Sequence, residues 1–193
     1  MQTWLLATLL AVWLPAALAH PHVIFHFALQ PVLRDGTLAG LHIEWTMDEA
    51  ASAIALRLLA PNGALDTERA ARFAAGNAAL LARRNYLLTL LHGGRALPFE
   101  IARPLAVTQR EARLVLTFEI AFAPLPLGEA LRVRLFDETW YVAFAAAPTP
   151  AASCTQRAVE ERLPTQGWGN QTVAAIEITC SGGGVVAPVA AAG

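Results

Sequence analysis

The sequence predicts an α+β fold that is mainly antiparallel β and sandwich-like, with two helices inserted after the first hairpin. Many short segments alternate apolar and polar residues, which is typical of half-buried strands. Only residues 49–60 and 66–84 have helical periodicity, and both follow the first predicted hairpin. Strands therefore outnumber helices, and helices packed to one side of an antiparallel sheet assembly are expected.

The N-terminus has the features of a signal peptide. Residues 1–19 carry no Lys, Arg, Asp or Glu, and the apolar run Trp4–Ala19 ends in small residues. That run is shorter than the roughly 20 residues a membrane-spanning helix needs. We therefore expect cleavage after Ala19 and a periplasmic protein with no stable membrane span, with an uncleaved anchor as the alternative.

The first hairpin is predicted from residues 23–33 and 37–48, which both alternate. A three-residue loop ending at Gly36 is favoured over a two-residue turn, which would place Phe27 opposite Glu44. The favoured register sets His22 opposite Asp48 and His26 opposite Glu44. One polar sheet face is then expected to hold His22, His26, His42, Glu44 and Asp48.

The remaining elements follow in order along the chain. The first helix is expected to end before Pro61-Asn62-Gly63, and Asp66 is a suitable N-cap for the second. Strands are predicted over residues 86–91, 96–101, 105–109, 113–122, 131–136, 140–145, 154–160 and 171–180.

Two cysteines, Cys154 and Cys180, lie near the C-terminus. An even pair in an exported protein favours a disulfide. We therefore divide the chain into a signal peptide at 1–19, an α+β domain at 20–147, C-terminal strands with this disulfide at 148–180, and a disordered tail at 181–193.

His20, Pro21 and His22 directly follow the predicted cleavage site. A mature N-terminal His20 offers its α-amine and imidazole to one ion, and His22 adds a second imidazole. With Asp48 from the opposite strand, these donors suit Zn²⁺ and also Ni²⁺, Co²⁺ or Cu²⁺. The alternative is that His20 is a frayed terminus and His22 an ordinary surface residue.

Other polar residues are weaker candidates. His26 is about 13 Å from His22 along a strand, which is too far for both to bind one ion. We expect His26 and Glu44 to form a surface ion pair, and the alternative is that they surround the metal site without binding the ion. The acidic residues of Asp48-Glu49 and Asp137-Glu138 are commonly turn or cap residues. No nucleophile elbow, phosphate loop or His-Glu-x-x-His motif accompanies them, and the scattered basic residues exclude a nucleic-acid-binding stripe.

Three blocks carry a family resemblance: residues 20–23, residues 45–49 and residues 136–144. With them the chain resembles the periplasmic family of domain-of-unknown-function proteins DUF1007, described as the periplasmic component of an uncharacterized ABC-type transport system. The resemblance spans residues 20–147 and implies acquisition of zinc or a related metal beside a permease of the nickel/cobalt type. The family's polar positions correspond here to His20, His22, Asp48, Glu49, Asp137 and Tyr141, with His26 where members usually have Asp.

These features predict a periplasmic accessory protein that binds a divalent metal, zinc before nickel, cobalt or copper, and delivers it to an inner-membrane permease. One alternative is a copper oxidase that uses the N-terminal His in a histidine brace. Another is a structural partner subunit of a permease that never touches metal. Copper absorption with oxygen consumption would identify the first, and metal titration would separate the second.

Overall fold

The computed structural model describes residues 22–149, 151 and 153–181. The predicted signal peptide, His20 and the tail after Ser181 lie outside these residues. The described chain contains strands, two α-helices and one 3₁₀ turn at Asn85–Leu87. In chain order the elements are β1 (Val23–Arg34), β2 (Thr37–Met47), α1 (Glu49–Leu59), α2 (Thr67–Ala82), β3 (Leu88–His92), β4 (Arg95–Ala96), β5 (Phe99–Arg110), β6 (Arg113–Pro126), β7 (Ala130–Leu135), β8 (Val142–Ala146), β9 (Cys154–Thr165) and β10 (Gly169–Cys180).

The strands form two five-stranded sheets, which confirms the predicted α+β, sandwich-like class. Sheet A has the order β5-β6-β2-β1-β8, and sheet B has the order β4-β3-β7-β10-β9. All neighbours are antiparallel except β1 and β8, which are parallel. The chain enters β8 from sheet B through the loop after β7, and this crossover makes the parallel pairing possible.

The predicted register of the first hairpin is wrong by two residues. Arg34 pairs with Thr37 across a two-residue turn, in which Asp35 and Gly36 have φ of 48° and 70°. Turns of this kind match the twist of the flanking strands. A register shift beside Val32 then brings the apolar faces of β1 and β2 back into step. Neither turn joined to regular strands produces this register, because it requires a two-residue turn combined with a bulge.

The consequence is a new set of partners on the polar face of sheet A. His26 lies opposite Thr46, and Glu44 lies opposite Ala28. The residue joined to Asp48 is Ile24, through a hydrogen bond of 2.8 Å from the Asp48 amide to the Ile24 carbonyl. In this register His22 does not lie opposite Asp48, and His26 does not lie opposite Glu44.

The two helices follow the hairpin as predicted, and an aspartate is the N-cap of each. The Asp48 and Asp66 side chains accept hydrogen bonds from the Ala51 and Arg69 amides. Buried Ser52 fastens α1 to sheet A, because its hydroxyl donates to the Met47 carbonyl and accepts from the Leu114 amide. One end of sheet A is therefore tied to the start of α1.

The core lies between the sheets. Trp45, Phe27 and Phe118 are its largest fully buried side chains. Their alternate neighbours face outward, as the period of a strand requires. The site residues considered below lie at the edge of this core.

The C-terminal hairpin completes sheet B. Its two strands, β9 and β10, pair along their whole length, and Cys154 and Cys180 form the predicted disulfide. At the opposite end of the hairpin, the Gln166 amide donates to the Glu138 carbonyl at 2.7 Å. The hairpin tip is therefore fastened to the loop that leads into β8.

Candidate metal centre

Three segments distant in sequence meet at one end of sheet A, which we call the His22 end. It consists of residues 22–24 at the start of β1, residues 47–49 at the end of β2 and residues 137–142, which lead into β8. The His22 amide donates to the Tyr141 carbonyl at 3.0 Å, and Val23 pairs with Val142. The described parts of the three blocks that carry the family resemblance therefore lie close together.

The side chains of His22 and Tyr141 are neighbours at this end. Their ring centroids are 4.8 Å apart and the rings are tilted by 44°. Val23 and Val142 pack against the core, so the residues before them point away from it. The Tyr141 residue is 52% exposed, and an imidazole and a phenol thus lie side by side at the surface.

Both carboxylate oxygens of Asp48 accept hydrogen bonds from backbone amides. One carboxylate oxygen accepts from the Ala51 amide at 2.9 Å, and the other accepts from the Ile24 amide at 2.7 Å. Partial burial raises the pKa of Asp48, but the backbone hydrogen bonds and the charge of Arg113 outweigh it and hold that pKa below its usual value. Asp48 thereby joins α1 to β1.

Asp137 is buried at 2% exposure and shapes the loop before β8. Its carboxylate accepts hydrogen bonds from the Thr139 amide, the Thr139 hydroxyl and the Val142 amide, and it pairs with Arg84 at 3.2 Å. Trp140 has a φ of 56°, so the loop reverses sharply just before Tyr141. These contacts direct the chain into β8 and so place Tyr141 beside His22.

The other predicted candidates have partners of their own. Glu44 makes two hydrogen bonds of 2.7 Å with Arg110, which hold the pKa of Glu44 below its usual value. Glu49 pairs with Arg113 at 3.3 Å and is highly exposed. His26 is exposed on the outer face of sheet A, four residues beyond His22 in β1. The structure brings Tyr141 to His22, whereas Glu44 and Glu49 are paired with arginines.

Sequence reasoning missed the arginines that engage these carboxylates. Arg84, Arg110 and Arg113 are far in sequence from Asp137, Glu44 and Glu49, and no local pattern links them. One signal in the sequence could have indicated Arg110 and Arg113. Arg113 begins β6 and Arg110 ends β5 just before it, and a strand that pairs antiparallel with β2 brings its own start close to the end of β2.

Within the described part of the chain, no three His, Cys, Asp or Glu side chains form a group that could hold a metal ion. His20 and its amine lie outside that part. No helix among the described residues has the length and hydropathy needed to cross a membrane. Of the predicted ligands His20 and His22, only His22 belongs to the part of the chain that the structure describes.

Comparison with known proteins supports the resemblance seen in the sequence. A family model described as "Protein of unknown function (DUF1007)" matches residues 5–166, from the apolar N-terminal run to the tip of the C-terminal hairpin. No curated protein matches the chain. Because the match covers well over half of the sequence, this chain belongs to the DUF1007 family.

Proposed function

We propose that this protein is an exported accessory protein that binds a divalent metal ion and passes it to an inner-membrane permease. Zn²⁺ is the favoured ion, before Ni²⁺, Co²⁺ and Cu²⁺. The observation that carries the proposal is the position of His22, which is exposed at the end of sheet A where all three family blocks meet.

The donor set fits such an ion. His20 would supply an amine and an imidazole after cleavage, and His22 would supply a second imidazole, all ligands that zinc and the later divalent metals accept. Pro21 has no amide hydrogen, so a square-planar site made from successive deprotonated amides is excluded at that position. The residues themselves therefore favour a site built from side chains and the terminal amine.

Contacts of the described residues would hold His22 in place for binding. Hydrogen bonds from His22 to Tyr141 and from Ile24 to Asp48 hold the start of β1 to its neighbours on both sides. A ligand fixed in this way loses less conformational entropy when it binds an ion. Its exposure also leaves the ion accessible to a receiving permease.

Metal analysis of protein purified from the periplasm tests the proposal. We expect the purified protein to begin at His20 and to contain close to one divalent ion per chain. A different N-terminus would remove the amine ligand. Metal-free protein that begins at His20 and fails to take up added Zn²⁺ would contradict the proposal and favour the structural-subunit alternative.

A further inference from the structure

We propose that β9 is an interaction surface at which two copies of this chain pair, so that sheet B continues from one copy into the other. β9 is the outermost strand of sheet B among the described residues, and it pairs with β10 from Cys154 to Thr165. A long edge strand offers backbone amides and carbonyls to another strand. The proposal concerns assembly and does not depend on metal binding.

The hydrogen bonds of the C-terminal hairpin indicate which backbone groups of β9 face away from β10. The Ser181 amide donates to the Ser153 carbonyl at 2.9 Å. Because bonded and non-bonded pairs alternate in an antiparallel ladder, odd-numbered residues of β9 bond to β10, and even-numbered residues turn their amides and carbonyls to the free edge. The Cys154 amide follows this rule, since it donates to the Ala151 carbonyl. Pro164, which has no amide hydrogen, also lies at an even position, where the ladder with β10 needs none.

Two charged side chains of β9 make the edge complementary to itself. Glu160 and Arg162 are exposed, point to the same face of the strand and form no ion pair with any described residue. Charges at an edge discourage pairing with strands that do not match them. A second β9 that runs antiparallel matches them when the two-fold axis passes beside Glu161. Glu160 of each copy then lies opposite Arg162 of the partner subunit.

The same register suits the backbone and the other face of the strand. Glu160 and Arg162 are both even-numbered, so the opposed residues can exchange both backbone hydrogen bonds. On the other face, half-buried Val159 lies opposite Leu163 of the partner subunit. A register centred one residue to either side would set Glu160 or Arg162 opposite its own copy, and like charges directly opposite destabilise a sheet.

Glu161 lies beside the two-fold axis and faces its own copy. Its carboxylate accepts hydrogen bonds from Arg132 at 3.0 Å and from Arg134 at 2.9 Å, so its charge is compensated within each copy. Arg157 adds a third guanidinium to this face, against the two carboxylates of Glu161 and Glu177. The surplus positive charge permits the two Glu161 side chains to approach each other.

Analytical ultracentrifugation of the mature protein tests the pairing. Because one strand edge is a small interface, we expect dimers at about 100 µM and mainly monomers in dilute solution. Arg162→Glu and Glu160→Arg should each be monomeric at the higher concentration, because each sets like charges opposite each other. An equimolar mixture of these two variants should dimerise again, since opposite charges then meet. Arg95→Glu, in β4 at the other edge of sheet B, is the matched control and should dimerise as wild type does.

Single cysteines test the register. Under mild oxidation Glu161→Cys should form a dimer linked by a disulfide, because this residue faces its own copy, whereas Val159→Cys should not. Wild type that stays monomeric at the higher concentration would overturn the proposal and leave this edge for a strand of a different protein. A dimer that survives Arg162→Glu, or that is linked through Val159→Cys instead, would also overturn it.

Discussion

Asp48 is the residue at which local and long-range structure are joined. Its carboxylate caps α1 through Ala51 and holds β1 through Ile24, two segments that are far apart in sequence. Asp66 caps α2 in the same way through the Arg69 amide. The two aspartates therefore differ mainly in the additional bond that Asp48 makes to β1.

This difference predicts unequal costs of substitution. Asp66→Ala should lower the free energy of unfolding by about 1 kcal/mol, the usual cost of a lost N-cap. Asp48→Ala should cost about 2–3 kcal/mol, because the Ile24 amide also loses a charged acceptor. Urea denaturation of both variants measures the costs, and equal values would show that the bond to Ile24 contributes nothing.

At the level of elements, the sequence predicted the kind of each segment better than its partners. Alternation located β1 and β2, and Asp66 marked the start of α2, because these signals are local. The bulge beside Val32 has no local signature, and neither has the pairing of β8 with β1 in sheet A after the chain leaves sheet B. Both features depend on how the two sheets pack. The sequence alone therefore predicts Asp48 as the partner of His22, whereas its neighbour in the structure is Tyr141.

Gly40 marks a second irregularity, where β2 shifts its register against β6. A Cβ atom at this position would lie 2.4 Å from the Ile120 carbonyl oxygen, so the two backbones are too close for any side chain. Gly76, inside α2, has open space around it. The two glycines are therefore present for different reasons.

Alanine at these two positions should have opposite effects. Gly40→Ala should destabilise the protein by about 1–3 kcal/mol through strain between β2 and β6. Gly76→Ala should stabilise it by up to about 1 kcal/mol, because alanine has the higher helix propensity. Thermal unfolding of the two variants checks the prediction, and a neutral Gly40→Ala would contradict the close approach.

At the scale of the whole molecule, both sheets carry carboxylates that arginines hold in the charged form. In sheet A, Glu44 is paired with Arg110. In sheet B, hydrogen bonds from Arg157 and then Arg132 hold the pKa of Glu177 below its usual value of 4.5. Glu161 joins Arg132 and Arg134 on the same face, so charge pairs link all three of β7, β9 and β10.

These lowered pKa values set the direction of the pH dependence. A carboxyl with a lower pKa in the folded state contributes stability above its unfolded pKa, and that contribution is lost as pH falls through the folded value. We therefore expect wild type to lose stability below about pH 4.5. Glu177→Gln should lose less over the same range, and exposed Glu160→Gln should follow wild type. Denaturant midpoints between pH 7 and pH 3 test this, and parallel curves for wild type and Glu177→Gln would refute it.

The metal site that we propose combines the N-terminus expected after cleavage with His22 at the end of sheet A. Calorimetry with Zn²⁺ on mature protein that begins at His20 tests this most directly. One extra glycine before His20 converts the α-amine of His20 into an amide. His22→Ala removes one imidazole. Each change should weaken binding strongly, whereas His92→Ala, in β3 of the other sheet, should bind as wild type does. Equally weak binding by all four proteins would contradict the account.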